Sequence, residues 1–263
     1  MAKSVELSDR KTLSLMNAAF GKTSGKVVSF DNKGISTEDA YVAWVDIMGA
    51  GPAMRRSLQE SSSAVGRFHA AIINAYHAIA DEREANNEVN VHSLTDGAYI
   101  VTRSPQRMRE VLSQMMLQLV RTFLSSSAKN KFVVRSAVAH GNVVSSATMK
   151  RRILTGNGHE EDADLVRNVT LGSPFEKAYH GETMAPPFGV FVDQSAIGAD
   201  NFSSDCIWKW WSVENELHKE FCGGLNASIA NYFENVKNGY YKYFVLAEKV
   251  AEYQAKAASY YIG

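Results

Sequence analysis

Residues Tyr41 to Gly51 read Tyr-Val-Ala-Trp-Val-Asp-Ile-Met-Gly-Ala-Gly, an apolar strand with one aspartate near its end and a glycine turn directly after it. A strand buried on both faces does not tolerate a bare carboxylate, so Asp46 requires a compensating partner. Two readings follow. A divalent cation would satisfy the carboxylate and explain the open backbone beyond it. Alternatively, Asp46 caps a helix that Pro52 opens as a first-turn residue.

The segment Val89 to Thr102, Val-Asn-Val-His-Ser-Leu-Thr-Asp-Gly-Ala-Tyr-Ile-Val-Thr, has two β-rich runs around Thr95-Asp96-Gly97. That is a hairpin pattern with an aspartate at its tip, and Asp-Gly is also what such a turn favours for backbone reasons alone. The pair of segments says more than either alone. A strand ending in Asp, a long amphipathic helix and a hairpin tipped with Asp can bring two carboxylates together on neighbouring strands, the arrangement a two-metal phosphoryl-transfer site needs.

Between them, Met54, Leu58, Val65, Phe68, Ile72, Tyr76 and Ile79 recur at helical spacing. This predicts one long helix ending at Asp81-Glu82-Arg83-Glu84, with a possible break near Ser61-Ser62-Ser63-Ala64. His69 and His77 lie on it without a third ligand nearby, which favours packing over metal binding. Ser104-Pro105 opens a second helix with Met108, Val111, Leu112, Met115, Leu119 and Phe123 on its inner face. Lys131 to His140 is a further strand. Its Arg135 sits among apolar residues and needs either a carboxylate or a phosphate.

Lys150-Arg151-Arg152, Gly156-Asn157-Gly158 and Glu160-Glu161-Asp162-Asp164 form a polar insertion, read as a solvated loop or as a lid whose cations approach a triphosphate. Val169 to Gly172 is a strand end that leads into a helix at Ser173-Pro174. Phe188 to Val192 and Trp208 to Ser212 are the last strands. From Ile229, the positions Phe233, Val236, Tyr240, Tyr243, Ala247 and Val250 predict one long C-terminal amphipathic helix, fit to pack on the sheet or on a second subunit.

Of the 263 residues 45% are hydrophobic, ample for a core, and the pattern implies one α/β (α+β) domain, residues 41–263, after a leader, residues 1–40. Its parts are a core over 41–192, the polar insertion over 146–168, and a C-terminal strand and helices over 205–263. Lys plus Arg and Asp plus Glu both total 28, so no basic field recruits nucleic acid. Without a signal-like or membrane-length apolar run, the chain is expected to be cytoplasmic, with no membrane partner. Cys206 and Cys222 fit neither a disulfide framework nor a zinc site.

The order of these motifs resembles the class III nucleotidyl cyclases, and within them the bacterial anti-phage Pycsar pyrimidine cyclases. Val45-Asp46-Ile47-Met48-Gly49 looks like the family's first metal-binding strand end and Leu94-Thr95-Asp96-Gly97 like its second. Arg135 to Gly141 looks like the following strand, and Gly172 to Tyr179 like the dimer-interface helix. There are departures. Thr95 stands where the hairpin usually has glycine, His92 where purine cyclases carry a base-reading lysine, and Glu176 and His180 where they carry an asparagine and an arginine. These put adenylate and guanylate cyclase activity in doubt and resemble the pyrimidine subgroup.

The resemblance implies a ferredoxin-like core, a central mostly antiparallel sheet with flanking helices, working as a homodimer. It implies conversion of UTP to 3′,5′-cyclic UMP and pyrophosphate, with CTP, or a catalytically inactive nucleotide sensor, as alternatives. Asp46 and Asp96 would be the catalytic metal ligands for two Mn²⁺ or Mg²⁺ ions, with the Ile47 carbonyl as a further ligand. The backbone of Ile47, Met48, Gly49, Ala50 and Gly51 would cradle the triphosphate. His92 would read the base or merely pack in its strand, and Arg135 would reach phosphate or form a salt bridge. For the subgroup, phage infection is the implied trigger and a separate cyclic-nucleotide-binding effector the receiver. The Gly-Gly-Asp/Glu-Glu-Phe signature of diguanylate cyclases is absent, as are a Walker-type loop and a nucleophile elbow.

Overall fold

The computed structural model describes residues 14, 35–80, 89–127, 130–155, 159, 170–198, 202, 206–211, 216–238, 245 and 247–262. The chain divides into two compact units. One joins Ser36–Ser145 to Asn168–Gly263, and the other joins Met1–Ile35 to Ser146–Arg167.

The larger unit is built on a mixed, mostly antiparallel sheet of six strands: β1 (Glu38–Ile47), β2 (Val89–Ser93), β3 (Gly97–Thr102), β4 (Val134–Val143), β5 (Val190–Val192) and β6 (Ile207–Trp208). Their spatial order is β2-β3-β1-β4-β5-β6, with only the β4–β5 pair parallel. This mixed α/β arrangement is the fold class that the sequence predicts. Central position explains why β1 reads as continuously apolar, since both its faces are covered.

The two faces are unequal. Val45, Ile47, Ile100, Val134 and Val138 point into the main core, against Phe68 and Ile72 of α2 (Leu58–Ala80) and Met108, Leu112, Met115 and Phe123 of α3 (Pro105–Ser125). The opposite face gathers Val42, Trp44, Val101, Ala139 and, from α5 (Ser173–Gly181), Ala178. Side chains alternate along a strand, so Asp46 shares the face of Val42 and Trp44, away from the main core.

Ser104 caps α3 by accepting from the Arg107 amide at 3.2 Å, and Pro105 occupies the first turn, as the sequence predicts. Other elements differ. The helix after β1 is two helices, α1 (Ala50–Arg56) and α2, broken at Ser57, which is extended at φ −154° and ψ 107°. No break occurs at Ser61, because its hydroxyl donates back to the Ser57 carbonyl at 2.8 Å and is satisfied inside the helix.

The single C-terminal helix is likewise two, α6 (Glu216–Lys237) and α7 (Val250–Ile262), with a 3₁₀ turn over Ala247–Lys249. They pack on each other: Phe233 stacks on Tyr253 at 6.1 Å, and Gln254 donates to Glu234 at 3.2 Å. One amphipathic stripe thus serves two helices whose apolar faces meet. Tyr240 and Tyr243 lie outside the described residues.

The last strand is also shorter than its apolar run. Trp210 and Trp211 leave the sheet, the first to donate its indole N–H to the Phe188 carbonyl at 2.7 Å, the second to stack on Tyr261 at 4.9 Å. In the smaller unit, Lys150-Arg151-Arg152 lies on a helix, α4 (Ser146–Thr155), rather than in a loop. Most of the predicted leader, the acidic run at residues 81–84 and the rest of the polar insertion except His159 fall outside the described residues.

Candidate active site

Asp46 is the last but one residue of β1, paired in register with Gly97 on β3 and with Arg135 on β4. Antiparallel partners share a face, so the carboxylate and the guanidinium emerge side by side. Asp96 arrives from the other flank, because the Ile47 amide donates to the Asp96 carbonyl at 3.0 Å and ties the hairpin tip to the end of β1. The Thr95 hydroxyl donates to an Asp96 carboxylate oxygen at 2.8 Å.

Gly97 is required here for room, not for an unusual backbone angle. A Cβ at that position would lie 2.3 Å from the Trp44 ring and 2.9 Å from the Val45 carbonyl. The Trp44 indole therefore lies across the start of β3 and presses the hairpin against β1, which brings Asp96 to Asp46.

The partner that Arg135 needs is a residue the sequence did not single out. Glu182 follows α5 in a 3₁₀ turn, Glu182–Met184. Its Oε1 accepts from Arg135 Nη2 at 3.1 Å, while Nε and Oε2 approach to 2.8 Å off the donor's axis. Both side chains are about nine-tenths buried (10% exposed each), and the guanidinium stands 5.4 Å from the Tyr253 ring of α7. Of the two partners considered for Arg135, the structure supplies the carboxylate. The available signal was the cost of an unpaired guanidinium on β4, which demanded a carboxylate or a phosphate without saying which.

Burial pushes the Asp46 carboxyl up to about 8, with Glu182 and then Asp96 adding to the rise. Arg135 and the Ile47 amide oppose it without cancelling it. Glu182 is raised too, chiefly by burial, against Arg135 and Lys256. Two further carboxylates, Glu182 and Asp96, thus act on Asp46, with Arg135 as the cation common to Asp46 and Glu182. The excess negative charge suits a hard divalent cation. Among the described residues no group of three His, Cys, Asp or Glu side chains is placed to hold a metal. Two carboxylates completed by substrate oxygens and water are nevertheless a sufficient donor set for Mg²⁺ or Mn²⁺.

The turn after β1 needs correction. Asp46 does not cap the following helix: the cap is Gly49, in the left-handed region at φ 74°, and α1 starts at Ala50 rather than at Pro52. Two of the amides expected to cradle phosphate are already used, Ile47 toward the Asp96 carbonyl and Met48 toward the Val133 carbonyl at 2.9 Å. The Ile47 and Met48 side chains are buried in the core. Only the amides of Gly49, Ala50 and Gly51 remain for a ligand.

His92 pairs with Tyr99, which faces Trp44 at 4.5 Å. It lies on the same sheet face as Asp46, one strand beyond β3. Glu176 and His180 are exposed on α5.

No family model matches the chain, and no curated protein matches it. Solved structures of similar fold include the monomeric guanylyl cyclase domain of the RhoGC fusion protein from Blastocladiella emersonii, at 15% identity and TM-score 0.40, covering 61% of this chain and 83% of that one. The guanylate cyclase domain of RhGC from Catenaria anguillulae in complex with GTP aligns at 13% identity and TM-score 0.39, over 60% and 80% of the two chains. Adenylate cyclases from Trypanosoma brucei in their monomeric state align at 14% identity and TM-score 0.42, over 63% and 79%. At this level of likeness the chain is assigned to no family.

Proposed function

We propose that this protein is a nucleotidyl cyclase acting on a pyrimidine nucleoside triphosphate, UTP in the first instance, to give 3′,5′-cyclic UMP and pyrophosphate. The observation that carries this reading is the convergence of Asp46 and Asp96 at one end of two adjacent strands, with the partly buried Asp46 carboxyl raised to about 8 by desolvation and then by its acidic neighbours. A structural carboxylate would not be kept in that condition without a compensating partner.

Asp46 and Asp96, with the Ile47 carbonyl, would hold two Mg²⁺ or Mn²⁺ ions. Bound metal supplies charge neutralisation and a lowered pKa for the attacking hydroxyl. The chain's own residues do the rest. The ribose 3′-oxygen attacks the α-phosphorus, its proton passes to solvent water, and the bond to pyrophosphate breaks. Asp46 must give up its own proton for the site to load. Arg135 and Glu182 fix each other in β4 and the turn after α5, so Asp46 meets a fixed field instead of a mobile cation. The amides of Gly49, Ala50 and Gly51 point orphan N–H groups of the first turn toward phosphate oxygens. His92 is the candidate for reading the base edge.

The pyrimidine assignment rests on the resemblance described above, as do the homodimer, the phage trigger and an effector that binds the cyclic product. CTP is the alternative substrate. A second reading, a nucleotide sensor without turnover, is favoured by Glu176 and His180 on the exposed face of α5, where purine cyclases carry catalytic groups. Incubation with each of ATP, GTP, CTP and UTP in Mn²⁺, with products resolved by mass, separates the readings. A cyclic pyrimidine nucleotide that disappears in Asp46→Asn supports the enzyme. No cyclic product from folded protein, with saturable nucleotide binding, supports the sensor.

A further inference from the structure

A groove of about 730 Å³ runs between α7, the edge strand β6 and the segment after α5. Its size falls in the range of small-molecule sites, roughly 300–1,000 Å³. The groove has an apolar wall and a cationic rim. Met184, Pro186 and Ile207 line it, and Met184 is 58% exposed although it stands beside a concave surface that an apolar body could occupy. A methionine there adapts to the shape of whatever it covers. The framework is fixed: Tyr260 donates its hydroxyl to the Trp208 carbonyl at 2.6 Å, joining α7 to β6.

The charges in the lining are both positive, Lys209 and Lys256. Lys209 is exposed and has no ion pair among the described residues. Lys256 donates to the Thr183 carbonyl at 3.2 Å and contacts Glu252 at 3.0 Å. That Glu252 is shared with Lys249 at 3.1 Å, so this carboxylate is divided between two lysines, while Lys209 has no ion pair among the described residues.

We propose that this groove binds an amphipathic anion, a carboxylate, sulfonate or phosphate head on an apolar body. The head sits between Lys209 and Lys256, near the Ser259 hydroxyl, and the body lies against Met184, Pro186 and Ile207. A cation of the same shape meets two ammonium groups and is rejected. A neutral analogue gains only the apolar contact. None of its lining residues is one of the three carboxylates, although Lys256 also acts on Glu182 from the groove side.

The probe is decanoate, titrated calorimetrically into the full chain below its micellar concentration, with decyltrimethylammonium and decanol as charge controls. Saturable binding of decanoate at one site is expected, with the cation silent. Lys209→Glu is expected to weaken it about fivefold or more, as loss and reversal of one partly exposed charge contact implies. Lys237→Glu, a reversal at an exposed lysine of α6 outside the groove, leaves affinity unchanged. Ala255→Trp places a ring in the groove and abolishes binding without touching a charge. Cys206 gives a second readout. Its thiol is exposed at the groove while Cys222 is buried, so decanoate slows alkylation of Cys206 by iodoacetamide. Absence of saturable decanoate binding, equal binding of the cationic amphiphile, or affinity unchanged in both Lys209→Glu and Ala255→Trp overturns the proposal.

Discussion

Replacing Asp46 with Asn removes an ionisable group from a place that disfavours its charge and keeps nearly the same shape. The folded protein holds the Asp46 proton up to about pH 8, whereas the unfolded chain releases it near 3.8. Between those values the folded state binds more protons, so this group makes stability fall as pH rises, and the loss levels off above about 8. At 1.36 kcal/mol per unit, the full interval corresponds to about 6 kcal/mol. That is a ceiling, because water entry and relaxation around a newly formed carboxylate reduce the cost. A difference of about 2–4 kcal/mol between wild type and Asp46→Asn is expected by pH 9, growing from a small value at pH 4. The assay is urea denaturation from pH 4 to 9 in chelator, followed by tryptophan fluorescence. The variant should be the more stable protein at high pH while losing the proposed cyclase activity, a separation expected where a site is held in a costly state. Added Mn²⁺ should stabilise wild type increasingly from pH 6 to 8, because binding displaces the proton, and should leave the variant little changed. A stability gap between the two proteins that is constant across pH would refute the assignment of a raised Asp46, whatever the activity data show.

Other consequences concern the frame around that carboxylate. Arg135→Met or Glu182→Leu alone should cost about 3–5 kcal/mol by stranding a buried charge, and the double variant much less than the sum. Additive losses in a double-mutant denaturation cycle would show that the pair is not coupled. Gly97→Ala should cost about 2–3 kcal/mol, since its methyl meets the Trp44 ring, and a loss under about 0.5 kcal/mol in urea denaturation would contradict the packing described for the hairpin. Trp210→Phe removes the 2.7 Å donor that holds the Phe188 carbonyl, where Phe188 sits in the left-handed region at φ 52°. A loss of about 1–2 kcal/mol in the same assay is expected, and an unchanged midpoint would deny that this hydrogen bond secures the strained turn.

How far the sequence discloses this molecule depends on the range of the interaction involved. β1 was legible because burial on both faces leaves a continuous apolar run, and the hairpin because its turn chemistry is local. Helix breaks were not. Ser57 and the serines at 61–63 look alike in sequence, and the Ser61 and Ser62 hydroxyls, bonded back to the Ser57 and Gln59 carbonyls, mark the stretch that stays helical. Helix α7 was hidden because two helices that pack on each other keep the same spacing as one long helix. The acidic site shows the same division. Asp46 and Asp96 declared themselves by position, and Arg135 by its cost. Glu182, 47 residues from Arg135 in sequence, carries no local mark, because the pairing is made by the return of the chain after α5.

That return also explains why the site tolerates so much like charge. Arg135 on β4 and Glu182 after α5 offset each other, so what remains uncompensated is concentrated on Asp46 and Asp96. The sheet contributes to this by register alone: Asp46 faces Gly97, and a residue with a side chain there would separate the strands that carry the two aspartates. Trp44 then uses the space left by that glycine. Loss of the Trp44 ring should therefore loosen the approach of Asp96 to Asp46 before it unfolds the sheet. Trp44→Ala is expected to retain cooperative unfolding but to lower divalent affinity, and Trp44→Phe to recover part of that affinity. Calorimetric titration of Mn²⁺ into both variants at pH 8 measures this. Equal affinity in Trp44→Ala and wild type would mean that the hairpin needs no ring to keep the two carboxylates together.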